Sequence, residues 1–126
     1  MEKTITIGGK SYLMKSSAYT PIAYKMETGR TLINDLTNLV KEYDKLELDK
    51  LSNEEILAKY EKVESVLNMT LRIAYIMSKE AKTITGSFEE YAMGIDNYLN
   101  DINWMLEVLE LALSPLSGGI QNLKIN

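Results

Sequence analysis

The chain has neither cysteine nor histidine in its 126 residues. The first absence removes a disulfide framework, a thiolate nucleophile and every cysteine-ligated zinc or iron–sulfur centre. The second removes the commonest metal ligand and the commonest general base at neutral pH. A run of about 18 apolar residues, the length a membrane-crossing helix needs, is also missing. The opening Met1-Glu2-Lys3-Thr4-Ile5-Thr6-Ile7 lacks the apolar stretch of a signal peptide. The expectation is a cytoplasmic chain that does not enter membranes. Chemistry would have to rest on carboxylates, Lys, Arg, Tyr, Ser and Thr. The composition therefore favours a binding or assembly protein over an enzyme, with no catalytic residue, metal or cofactor expected.

What is present suits one domain. Hydrophobic residues make up 45% of the chain, enough to bury a single core at this length. The net charge of −4 and a pI near 4.9 speak against nucleic-acid binding. The charge is unevenly spread. Residues 1–30 carry five basic against two acidic side chains, whereas residues 83–126 carry six acidic side chains and only Lys124. A basic head and an acidic tail can attract within one chain or between copies.

Residues 3–15 read as a β-hairpin. Thr4-Ile5-Thr6-Ile7 alternates in polarity and is β-branched throughout, and Gly8-Gly9 supplies a two-residue turn. That turn length pairs Ile7 with Lys10 and Ile5 with Tyr12, placing Ile5, Ile7, Tyr12 and Met14 on one face. Residues 20–116 read as about four helices. In the first, Thr20 is the expected cap, Pro21 the first helical residue, Ile22, Ala23 and Met26 the inner face, and Gly29 the stop. In the second, Thr31 precedes a stripe of Leu32, Leu36, Leu39, Val40 and Tyr43. Residues 44–51 either extend that helix or form a charged connection.

Ser52 with Glu55 makes a capping box that opens a helix of roughly 25 residues, with Ile56, Tyr60, Val63, Leu67, Leu71 and Ala74 inward. Ser87 with Glu90 makes another. It opens a final helix striped by Phe88, Ala92, Ile95, Leu99, Ile102, Leu106, Leu109 and Leu113 and ended by Pro115 and Gly118-Gly119. Residues 117–126 are expected to be a flexible tail. The predicted class is α+β, mainly α: an N-terminal hairpin packed on a helical bundle, one domain over residues 1–116.

Gly9-Lys10-Ser11 resembles the end of a phosphate loop, but the position of that motif's first glycine is Thr4, and a strand, not a helix, follows. The glutamate pairs 54–55 and 89–90 fall in first helical turns, where they favour the helix dipole. Glu107 and Glu110 keep an otherwise apolar helix wetted. That helix, from Trp104 to Leu113, is apolar nearly all round. It is either the central core helix or a contact with another chain. Tyr12, Tyr43 and Tyr60 fall on inner faces, while Tyr19, Tyr24, Tyr75, Tyr91 and Tyr98 fall off or at the edge of the main stripes. Tyr91, Tyr98 and Met105, seven apart, form a second seam, read as interface or as core. The candidate partner-binding residues are Tyr98, Trp104, Met105, Val108 and Leu111, with the hairpin face second.

The order of these features carries a resemblance. The hairpin Thr4-Ile5-Thr6-Ile7-Gly8-Gly9-Lys10-Ser11-Tyr12 leads to a helix ending Met26-Glu27-Thr28-Gly29-Arg30. Later, Ser87-Phe88-Glu89-Glu90-Tyr91 opens a leucine-rich segment. From about Lys3 to Leu116 the chain resembles the tail assembly chaperones of long, non-contractile-tailed bacteriophages and of prophages in low-GC Gram-positive bacteria. The resemblance implies a protein of the host bacterial cytoplasm, absent from the mature virion. It implies that the chain coats the helical, aggregation-prone tape-measure protein and keeps it soluble until major tail protein polymerises around it. It also implies self-association along the client, and a short form that a ribosomal frameshift extends near residues 117–126. The alternative is a small adaptor or regulator of a mobile element, antitoxin- or anti-repressor-like.

Overall fold

A computed structural model describes residues 1–117. The expected tail lies outside the described residues, apart from Ser117, which is helical. The hairpin pairs β1 (Glu2–Ile7) with β2 (Lys10–Lys15) in the register the turn dictates, Ile7 opposite Lys10 and Ile5 opposite Tyr12. Its inner face of Ile5, Ile7, Tyr12 and Met14 is buried. Gly8 and Gly9 both have positive φ, 59° and 87°. A Cβ on Gly8 would also collide with the backbone carbonyl of Asp96, whereas the space beside Gly9 is open.

Six α-helices follow: α1 (Tyr19–Thr28), α2 (Leu32–Leu46), α3 (Asn53–Ala58), α4 (Tyr60–Glu80), α5 (Phe88–Met93) and α6 (Asn103–Ser117). The chain is α+β and mainly α, as its patterning predicts. Six helices stand where four were expected because two of the expected ones are broken. The helix opened by the Ser52–Glu55 capping box bends at Lys59, whose φ of −106° and ψ of 19° leave the helical region. The final helix is interrupted over residues 94–102. Gly94 ends α5, Asn97 is left-handed with φ 55°, and the Asp101 carboxylate accepts the Asn103 N–H at 3.0 Å to start α6. The Tyr91–Tyr98–Met105 seam therefore does not lie on one helix. Pro115 does not end α6 either; it sits inside the last turns. Residues 44–51 divide between the end of α2, a left-handed Glu47 and a 3-10 turn (Leu48–Lys50) that buries Leu48.

The core is one cluster, organised around α4, and α6 contributes most of its length to it. Helix α6 packs on α4, α2 and β1. Tyr12, Tyr75, Tyr91 and Phe88 form an aromatic group with centroid separations of 5.0 to 5.6 Å. The basic head meets the acidic tail once within the described residues, at Lys3 Nζ to Glu107 Oε1, 3.1 Å. Both side chains are a third or more exposed, so the pair orients more than it stabilises.

The two turn glycines separate strain from collision. Gly9→Ala meets only the left-handed penalty and is expected to cost about 1–2 kcal/mol. Gly8→Ala adds displacement of the 94–102 loop and should cost clearly more, read as the difference between the two urea midpoints.

Candidate functional site

Four of the five candidate contact residues belong to the core. Trp104, Met105, Val108 and Leu111 are at most 4% exposed. Trp104 donates its indole N–H to the Tyr98 carbonyl at 2.9 Å, tying α6 to the preceding loop. Tyr98 is half-buried and hydrogen-bonds Tyr60, whose own hydroxyl pKa is pushed up to about 12 by that bond and by burial. The apolar girth of α6 is thus explained by burial inside its own domain: Trp104, Met105, Val108 and Leu111 are core side chains, and only Tyr98 of the five keeps part of its surface exposed. The hairpin face is likewise consumed by the core. Of the tyrosines expected off the main stripes, Tyr24, Tyr75 and Tyr91 are buried and Tyr19 is exposed.

An apolar surface without a partner among the described residues lies on α1. Tyr19, Ile22 and Met26 are 52%, 55% and 76% exposed. Their i, i+3, i+7 spacing sets them along one side of the helix. The sequence expectation put Ile22 and Met26 inward; the structure turns them out and buries Thr20 and Tyr24 on the opposite side. The reason is hydrogen bonding. Thr20 is not the cap; Ala18 precedes the helix. The Thr20 hydroxyl accepts the Ser17 N–H at 2.9 Å and donates to Glu80 Oε1 at 2.6 Å, while Ser17 Oγ donates to Glu80 Oε2 at 2.5 Å. One carboxylate at the end of α4 therefore grips the start of α1.

The other end of α1 is held from α2. The Tyr24 hydroxyl donates to Asp35 Oδ2 at 2.6 Å, and Arg30 clamps both Asp35 oxygens through Nε and Nη2 at 2.8 Å each. The Asp35 side chain is 4% exposed. Arg30 holds its carboxyl below the usual range; burial opposes this, and the Tyr24 bond assists. Burial and the neighbouring carboxylate together drive the Tyr24 hydroxyl pKa well up. Asp35 went unnoticed in the sequence because a lone acid in a first helical turn looks like a dipole-stabilising surface residue.

Between α1 and α4 runs a groove of about 280 Å³, lined by Tyr19, Ala23, Met26, Ile76, Lys79 and Glu80. Its floor is apolar and its rim carries both signs of charge. Among the described residues no three acidic side chains gather as a metal site, and no helix is long and apolar enough to cross a membrane. No family model, curated protein or solved structure matches the chain. A sequence signal for the exposed ridge existed: α1 has apolar residues on both sides, Ile22 and Met26 opposite Tyr24, more than one buried face requires.

Two variants follow. Trp104→Ala should lower stability by about 3–5 kcal/mol in chemical denaturation, the cost of a large core cavity, rather than change assembly size. Asp35→Asn should cost about 1–3 kcal/mol at neutral pH. Because the native Asp35 pKa lies below its unfolded value, its stabilisation is complete above pH about 4 and is lost as the pH falls through the lowered value. Acid titration of stability should accordingly be shallower below pH about 4 in Asp35→Asn than in the parent.

Proposed function

We propose that this chain is a non-enzymatic tail assembly chaperone that holds a phage tape-measure protein in the host bacterial cytoplasm and is absent from the mature virion. The observation that carries the reading is the exposed ridge of Tyr19, Ile22 and Met26 beside the α1–α4 groove. Such a ridge is the recognition surface an amphipathic client helix requires, apolar stripe against apolar stripe. The resemblance of the hairpin, the Glu-Thr-Gly helix end and the Ser87–Tyr91 segment to that chaperone family supplies the client's identity.

Energetics suit a holding role. Each of the three side chains is roughly half exposed or more. Covering one gains on the order of 1 kcal/mol. A single copy then binds weakly and releases readily when major tail protein assembles. Many copies along a long repetitive helix bind through their summed contacts. Self-association along the client, and recruitment of major tail protein to the coated filament, belong to the same reading.

Co-expression with the tape-measure protein of the same genome tests it. The client should be soluble with the chain and aggregate without it, and Ile22→Asp/Met26→Asp should lower the soluble fraction several-fold. Both positions are exposed, so that variant should melt like the parent. A client equally soluble alone, or held equally well by the double variant, overturns the proposal. Capture of one folded partner at fixed stoichiometry would instead favour the adaptor reading.

A further inference from the structure

The chain contains twelve lysines but only two arginines, and both arginines line one cleft. This cleft, of about 620 Å³, lies on the other side of Glu27 from the apolar groove. Its walls are Tyr24 and Arg30 from the α1 region, Asn68, Met69 and Arg72 from α4, and Phe88 at the start of α5. The two guanidiniums differ in engagement. Arg30 spends Nε and one Nη2 hydrogen on Asp35, which locks its plane and leaves the Nη1 edge without a partner among the described residues. Arg72 is half-buried and stacks on Phe88, 4.1 Å from guanidinium carbon to ring centroid. It forms no ion pair and donates no side-chain hydrogen bond among the described residues.

The geometry points to a binding site for a carboxylate side chain of a partner protein segment, taken by Arg72 with Arg30 beside it. A guanidinium stacked on an aromatic ring keeps its N–H edge available and has lost rotamer freedom in advance. That edge matches the two oxygens of a carboxylate. Asp35 already balances Arg30, and Arg72 makes no ion pair with Glu27, the acidic side chain that lines the same cleft; the cleft thus offers an anion no more than the single charge of Arg72, which suits a monoanion better than a phosphate dianion. Exposed Glu27 at the rim repels an arriving anion weakly, through water. Half-buried Phe88 and Met69 offer apolar surface to the methylenes of a glutamate and to an apolar neighbour in the partner. The site is defined without reference to the tape-measure protein, so it stands or falls separately from the proposed function.

The probe is a synthetic helical peptide carrying a single glutamate flanked by leucines, and its glutamine twin. Binding is followed on the arginine Nε–Hε NMR resonances of the full chain. The glutamate peptide should shift both resonances and bind at least tenfold tighter than the glutamine twin. Arg72→Lys, which keeps the charge but not the paired donors, should weaken it several-fold. Arg72→Gln should remove the preference, and Glu27→Gln should tighten binding. Thermal melts of the Arg72 variants separate lost binding from lost fold, and Arg72→Lys is the variant relied on if Arg72→Gln does not fold. Equal binding of both peptides, no shift with either, or unchanged affinity in Arg72→Lys overturns the proposal. Tighter binding of inorganic phosphate than of the glutamate peptide overturns it in favour of a phosphate site.

Discussion

The grip of two carboxylates on α1 determines which face this protein shows to its surroundings. Glu80 takes the hydroxyls of Ser17 and Thr20, and Asp35 takes the hydroxyl of Tyr24. A ten-residue helix with apolar residues on both sides has no strong hydrophobic preference for one rotation. Hydrogen bonds to the buried Asp35 and the half-buried Glu80 then decide, because leaving Asp35 unpartnered at 4% exposure costs more than leaving Ile22 or Met26 wet. Both surfaces of functional interest, the apolar ridge and the two-arginine cleft, flank this one helix.

The remainder of the fold is a mount for it. α4 packs on every other helix of the core and on the hairpin, α6 lies against it, the hairpin covers both through Ile5, Ile7, Tyr12 and Met14, and the end of α4 delivers Glu80 while its middle delivers Arg72. Ser16, between hairpin and α1, donates its hydroxyl to the Leu111 carbonyl of α6 at 2.7 Å, joining the three units at a buried point. The loop at 94–102 is part of the same closure, since Gly8 packs on Asp96 and Trp104 bonds back to Tyr98.

Much of this was legible in the sequence where local rules are strong. The Gly8-Gly9 turn set the strand register, both Ser-x-x-Glu capping boxes formed as patterned, and Gly29 adopted the left-handed stop with φ 74°. The stripe from Leu32 to Tyr43 is buried throughout. Less legible were the interruptions. Gly94, Asn97 and Asp101 each tolerate a helix break but do not compel one, and a leucine period running through them hid the loop. Lys59 bends its helix with no proline or glycine nearby.

By itself, the sequence determined the class of the fold, the hairpin and its buried face, the helix starts at Ser52 and Ser87, and the absence of histidine and cysteine chemistry. These follow from contacts a few residues apart and from composition. Tertiary structure alone decided that Trp104, Met105, Val108 and Leu111 are core, that Ile22 and Met26 face outward, and that Arg30 and Arg72 share a cleft. Each of those depends on pairings across tens of residues, such as Thr20 with Glu80, which hydrophobic periodicity does not encode.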